Sequence, residues 1–151
     1  MSTDTTASTG SATRSVIRRL EHAVNTRQPD LLDDIVTDGF VRHCEATPGV
    51  EVHSRGQFAD FLAQDLTVFA DSVQTFEHIL VDGDMAAVWA TYEGTQTGPM
   101  GPFPASGRRA RFWYSGVMRM EGARTAEWWV TWDNMTILAQ LGHLPAPAPS
   151  A

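Results

Sequence analysis

A carboxylate closes the most apolar strand of the chain. Thr125-Ala126-Glu127-Trp128-Trp129-Val130-Thr131-Trp132-Asp133 reads as a strand from its aromatic and β-branched content. Alternation puts Glu127, Trp129, Thr131 and Asp133 on one face, and Trp128, Val130 and Trp132 on the other. If the first of these faces is packed among aromatic rings, desolvation raises the Asp133 pKa, the tuning a carboxyl needs to exchange protons near neutral pH. The competing reading of Asp133 is a solvated strand-end carboxylate, or a cap for the turn that follows. His43, within Phe40-Val41-Arg42-His43-Cys44, is a second candidate: an imidazole there would position a carbonyl or relay a proton, or simply serve the structure. His22, His53, His78 and His143 show no metal-ligand spacing, and no metal site is expected. A tight hairpin at Gly122-Ala123 would set Phe112 opposite Asp133 and Tyr114 opposite Thr131. Phe112, Tyr114, Gly116 and Met118 would then share the face of Asp133, with Trp113, Val117, Trp128, Val130 and Trp132 behind. A one-residue change in the turn would exchange the two faces. Both are apolar, so one is expected to cover a pocket and the other a subunit interface, with a homodimer the simplest outcome and a homotetramer the alternative.

The elements that must position these residues follow from periodicity. Val16, Leu20, Ala23 and Val24 share one face of a helix over about Thr13 to Thr26. Pro29 opens a second short helix that Gly39 ends. Ser54 and Gln57 form a capping box for a third, whose stripe is Phe58, Phe61, Leu62, Leu66 and Phe69. Beyond Asp71 the period becomes that of strands: Val73 to Val81, a turn at Asp82-Gly83-Asp84, then Met85 to Thr97. Gly98 to Pro102 is a loop, Arg109 to Met120 and Thr125 to Thr136 are two further strands, and a short helical turn ends at Gly142 and Pro145. Helices followed by consecutive antiparallel strands make an α+β fold: a curved antiparallel sheet wrapped around N-terminal helices, with a central pocket walled by the aromatic stripe. Residues 1–12 are expected to be a disordered arm, 13–144 one domain, and 145–151 a disordered Pro/Ala tail.

Composition narrows the partners. A chain of 151 residues holds one core. Its formal net charge of -7 argues against nucleic acid, and Arg108, Arg109 and Arg111 read as a solvated strand start rather than an anion site. No apolar run is long enough to span a bilayer and no signal-peptide pattern is present, so no membrane partner and a cytoplasmic location are expected. Cys44 is the single cysteine, without a disulfide or zinc partner.

A series of landmarks then carries a resemblance. Phe69-Ala70-Asp71, Asp82-Gly83-Asp84, Gly94-Thr95-Gln96-Thr97-Gly98-Pro99, Pro104-Ala105-Ser106-Gly107-Arg108, Glu127-Trp128-Trp129 with Asp133, and Gln140-Leu141-Gly142 occur in that order. Together with the strand from Phe40 to His43, they resemble the SnoaL-like polyketide cyclase family of the nuclear transport factor 2-like superfamily. The resemblance covers about Phe40 to Leu144. It implies a cone-shaped barrel and a cofactor-free ring closure of a small hydrophobic polyketide-type substrate by intramolecular aldol chemistry. Asp133 would be the general acid/base, and His43 and Gln96 would hold the reacting oxygens. Trp129, Tyr114, Phe112, Phe40, Phe61 and Phe69 would line the pocket. Gln96 and Trp128 stand where the family often has histidine, and an amide can hydrogen-bond an oxyanion without relaying a proton. The alternatives are a cofactor-independent hydroxylase, a pericyclic or epoxide-opening cyclase, and a non-catalytic binding protein of the same fold.

Overall fold

The computed structural model describes residues 3–145 and 149–150, with side chains from residue 8 onward. The first helix, α1, spans Thr3–Asn25. It therefore takes in most of the arm expected over 1–12; residues 1–2 lie outside the described residues, as do 146–148 and 151 of the expected tail. Val16, Ile17, Leu20 and Ala23 bury its inner face. A short 3-10 helix follows at Pro29–Asp34. It ends five residues before Gly39, because Val36, Phe40 and Arg42 turn inward at strand spacing in β1, Val36–His43.

The second helix, α2, spans Arg55–Val68. Its first turn is capped as the sequence suggests: the Gln57 amide donates to Ser54 Oγ at 3.1 Å. The reciprocal bond shifts by one residue, with the His53 amide donating to Gln57 Oε1 at 2.7 Å. Four antiparallel neighbours then follow as β2 (Val73–Asp82), β3 (Met85–Thr95), β4 (Arg109–Glu121) and β5 (Arg124–Trp132), and a short helix α3, Asn134–Gln140, closes the fold.

The sheet order is β1-β5-β4-β3-β2. It is mixed rather than purely antiparallel, since β1 runs parallel to β5. Helix α1 covers the free edge of β2, and side chains complete its hydrogen bonds. Asn25 exchanges two bonds with the Gln74 backbone at 2.7 and 2.8 Å, and Arg18 donates to the Phe76 carbonyl at 2.8 Å. The edge is satisfied in this way at Gln74 and Phe76, which blunts that part of it as a template for another strand. No helix among the described residues is long and apolar enough to cross a membrane.

One irregularity decides the chemistry. The β4–β5 hairpin does turn tightly, with Glu121 paired to Arg124 and Gly122 at φ 62°. The register then slips, because Met120 pairs with Thr125 but Arg119 with Glu127. Ala126 is the extra residue of a β-bulge, and Thr125 and Ala126 are both buried in succession. Beyond the bulge every β5 side chain is on the face opposite to that expected from an uninterrupted hairpin.

Candidate functional site

Between α2, the inner face of β3–β5 and the 99–103 loop lies a cavity of about 930 Å³. Its walls are mostly apolar. Helical spacing sends Phe58, Phe61, Leu62, Val68 and Phe69 into it from α2, while Phe112 and Tyr114 enter from β4. Tyr114 pairs with Trp132, Gly116 with Val130 and Met118 with Trp128, so β5 contributes Trp128, Val130 and Trp132. This corrects the face assignment: Phe112 and Tyr114 share their face with these residues and not with Asp133.

Asp133 is outside the cavity and exposed. It is the N-cap of α3, accepting from the Met135 amide at 2.9 Å and from the Thr136 hydroxyl at 2.7 Å. Those two bonds, the Thr136 hydroxyl first, hold its carboxyl below the usual carboxylate range, opposite to the upward shift expected of it. Trp129 follows the same alternation onto the outer face, where it is 40% exposed. His43 is outward too: it stacks on Trp129 with ring centroids 5.3 Å apart and pairs with Glu127 at 2.7 Å. That pairing holds the Glu127 carboxyl down, with Arg119 helping.

Gln96 is fully buried but does not line the cavity. It is a latch for the loop that follows: its amide nitrogen donates to the Phe103 carbonyl at 3.3 Å, and its oxygen accepts from the Ser106 amide at 3.2 Å and pairs with His143 at 2.7 Å. Phe40 sits in the core against Phe58, centroids 4.7 Å apart, rather than in the cavity wall. Of the aromatic residues singled out in the sequence, the cavity brings together Phe61, Phe69, Phe112 and Tyr114.

The polar groups inside are different ones. Asp65 belongs to α2, three residues beyond Leu62, on the same face as the aromatic stripe. The Tyr92 hydroxyl donates to Asp65 Oδ2 at 2.7 Å. Burial pushes the Asp65 carboxyl up from 3.8 to about 6, against the opposing pull of the Tyr92 bond and of the Arg27 and Arg42 charges. Asp65 is partly buried and lines the cavity. Desolvation, with the nearby Asp65 charge, likewise pushes the Tyr92 phenol up. Beside this pair, the Tyr114 hydroxyl donates to Gln74 Oε1 at 2.5 Å, leaving the Gln74 amide hydrogens for an acceptor in the cavity. Arg42 enters from β1 as the one basic residue of the lining. A signal for Asp65 was present in the sequence, a carboxylate at helical spacing within an apolar stripe. None marked Tyr92 or Gln74, whose roles depend on the neighbours the sheet gives them.

The arrangement can take a proton from an apolar substrate at Asp65 and offer a hydrogen bond to a developing oxyanion at Gln74. Among the described residues no group of three or more His, Cys, Asp or Glu is placed to hold a metal.

Among solved structures, the fold is similar to TsrD from Streptomyces laurentii, with 25% identity, a TM-score of 0.79, and 89% of this chain and 97% of that one covered. It is also similar to IdmH, a candidate polyketide cyclase from Streptomyces antibioticus, with 24% identity, a TM-score of 0.75, and 85% and 97% covered. A third likeness is to a protein with a ketosteroid isomerase-like fold from Catenulispora acidiphila, with 17% identity, a TM-score of 0.73, and 89% and 97% covered. No curated protein sequence matches the chain. The family model for SnoaL-like polyketide cyclases matches residues 14–141, nearly the whole of the cavity-forming fold, and the chain belongs to that family.

Proposed function

We propose that the protein closes a ring in a polyketide-derived intermediate by acid/base chemistry, with Asp65 as the proton carrier. The observation that carries this reading is a carboxyl with a pKa of about 6 at the wall of a mostly apolar cavity. Ionised Asp65 takes a proton from a carbon beside a substrate carbonyl, giving an enolate. The enolate carbon attacks a second carbonyl carbon of the same molecule; a C–C bond forms and the carbonyl electron pair moves to oxygen. Asp65, now neutral, returns its proton to that alkoxide, and the carboxylate is regenerated. Gln74 donates to the oxygen on which charge develops. The aromatic walls hold the substrate folded, which makes the closure a well-oriented unimolecular step.

The test is product mass from a panel of aromatic polyketide intermediates, with Asp65→Asn run beside the wild type. An unchanged mass, or one lower by water, that the variant fails to produce supports ring closure at Asp65. A gain of oxygen would instead identify a hydroxylase, and full activity in the variant would remove Asp65 from the mechanism.

The working unit in this reading is a homodimer formed through the outer sheet face. Trp89 and Trp113 stack there with centroids 5.4 Å apart and are each 44% exposed, flanked by Val117 and Trp129. Around them are paired charges of both signs, Glu93 with Arg109 and Arg111, and Glu127 with Arg119. A surface of this kind offers charges of both signs to a second copy around its rim, and its aromatic centre has the composition of an interface core.

A further inference from the structure

Arg42 is 5% exposed, yet among the described residues no carboxylate forms an ion pair with it. Its guanidinium donates to Thr47 Oγ1 at 3.1 Å and stands beside Cys44. It lies over the Phe61 ring at 4.0 Å and faces the Trp132 ring at 5.5 Å, both cavity walls. The rings and one hydroxyl offset only part of what it costs to remove a guanidinium from water. A buried charge is ordinarily paired, and leaving one uncompensated is strongly destabilising. Burial lowers the Arg42 pKa, with Cys44 and the more distant Asp65 charge opposing it, and a guanidinium remains charged under such conditions. Two rings stand against the guanidinium and Thr47 and Cys44 take part of its hydrogen bonding, so a planar acceptor would fit the N–H groups that these contacts leave.

We propose that Arg42 is an anion-binding subsite of the cavity and that the substrate carries a carboxylate, seated on the guanidinium between Phe61 and Trp132. The inference rests on reading the cavity as the substrate site. Its chemistry selects a carboxylate because the guanidinium fork matches two coplanar oxygens, and because Arg42 is the one cation of a lining that also carries Glu51, Asp60 and Asp65, which disfavours the higher charge of a phosphate. Flat apolar groups on the acid would extend towards Phe112 and Tyr92, which stack with centroids 5.0 Å apart. The subsite sets direction: with its acid end held by Arg42, the substrate presents its remaining carbons to Asp65.

Calorimetric titration of the wild-type protein with 2-naphthoate and with its methyl ester tests this without a variant. Measured at about pH 7.5, where the probe acid is ionised, the acid is expected to bind at least about 10-fold more tightly than the ester, the scale of one charge-assisted hydrogen-bonded contact. Arg42→Gln should abolish that preference while the ester still binds, and Arg42→Lys should restore part of it. Acid and ester binding within about twofold of each other on the wild type would overturn the subsite and leave the cavity reading standing. A preference that survives in a folded Arg42→Gln would overturn it as well. Failure of both probes to bind the wild type would overturn the cavity reading and the subsite together.

Discussion

The Tyr92 hydroxyl donates to the Asp65 carboxylate at 2.7 Å, joining β3 to α2 across the cavity wall. Neither group is unusual alone. Together they place a proton-exchanging carboxyl, with its charged form supported by one strong hydrogen bond, in a site built mostly of rings and methyl groups. Asp65→Asn is expected to lower turnover at least about 100-fold, the usual scale for losing a general acid/base. The test is kcat on a turned-over substrate, with circular dichroism confirming the fold. Because the Tyr92 bond pulls the Asp65 pKa down, Tyr92→Phe should move the acidic limb of the rate profile above about 6. A limb that stays in place would show that another group sets it.

Stability should carry the same signature with a definite sign. The folded Asp65 pKa lies above its ordinary value, so between the two the folded state holds more protons than the unfolded one. The contribution of Asp65 therefore falls as pH rises from about 4 to about 6, by an amount on the order of 3 kcal/mol, and is level above that. Urea denaturation of wild type and Asp65→Asn at both ends of this window checks it. The difference in stability should shift in favour of the variant at the higher pH.

Asp133 is expected to matter for stability and not for chemistry. Asp133→Ala removes the cap of α3 and should lower the melting temperature, while Asp133→Asn should change it little. Turnover in both should remain within about threefold of wild type when measured well below the midpoint of unfolding. A loss of about 100-fold in a folded Asp133→Asn would return this residue to the mechanism.

Gly116 is where the cavity wall depends on a missing side chain. A Cβ there would lie 2.1 Å from the Trp128 indole nitrogen and 2.9 Å from the Trp129 carbonyl oxygen. Gly116→Ala must displace the Trp128 ring, and overpacking of this kind costs about 1–3 kcal/mol. The expected readings are a lower melting temperature and a shifted tryptophan fluorescence maximum. An unchanged Tm would mean that the sheet yields there at no cost.

The outer face gives the last prediction. Trp113→Glu puts a charge into the stacked pair with Trp89 and should convert a dimer to a monomer, as read by light scattering on a sizing column. A wild type that is monomeric at high concentration would overturn the proposed interface.

What the sequence determined by itself was local, and for a local reason. Apolar spacing, the Ser54 cap, the Asp82-Gly83-Asp84 turn and the Gly122 hairpin each depend on a few neighbouring residues, and each stands in the structure. The ordered landmarks pointed to the family, and the aromatic stripe of α2 pointed to a wall of the cavity. Which face each chemical group took was decided only by the tertiary structure. Strand alternation makes every assignment hostage to a single residue: the bulge at Ala126 sends Trp132 inward and Asp133 outward, and along β1 Arg42 turns inward and His43 outward. The acid of the proposed mechanism is likewise a tertiary product. Asp65 on an isolated helix would be an ordinary carboxylate; packed beneath the sheet, it loses water, and that outweighs the opposing Tyr92 bond and raises its pKa to about 6. The desolvation arises from contacts between distant segments, which no window of sequence contains.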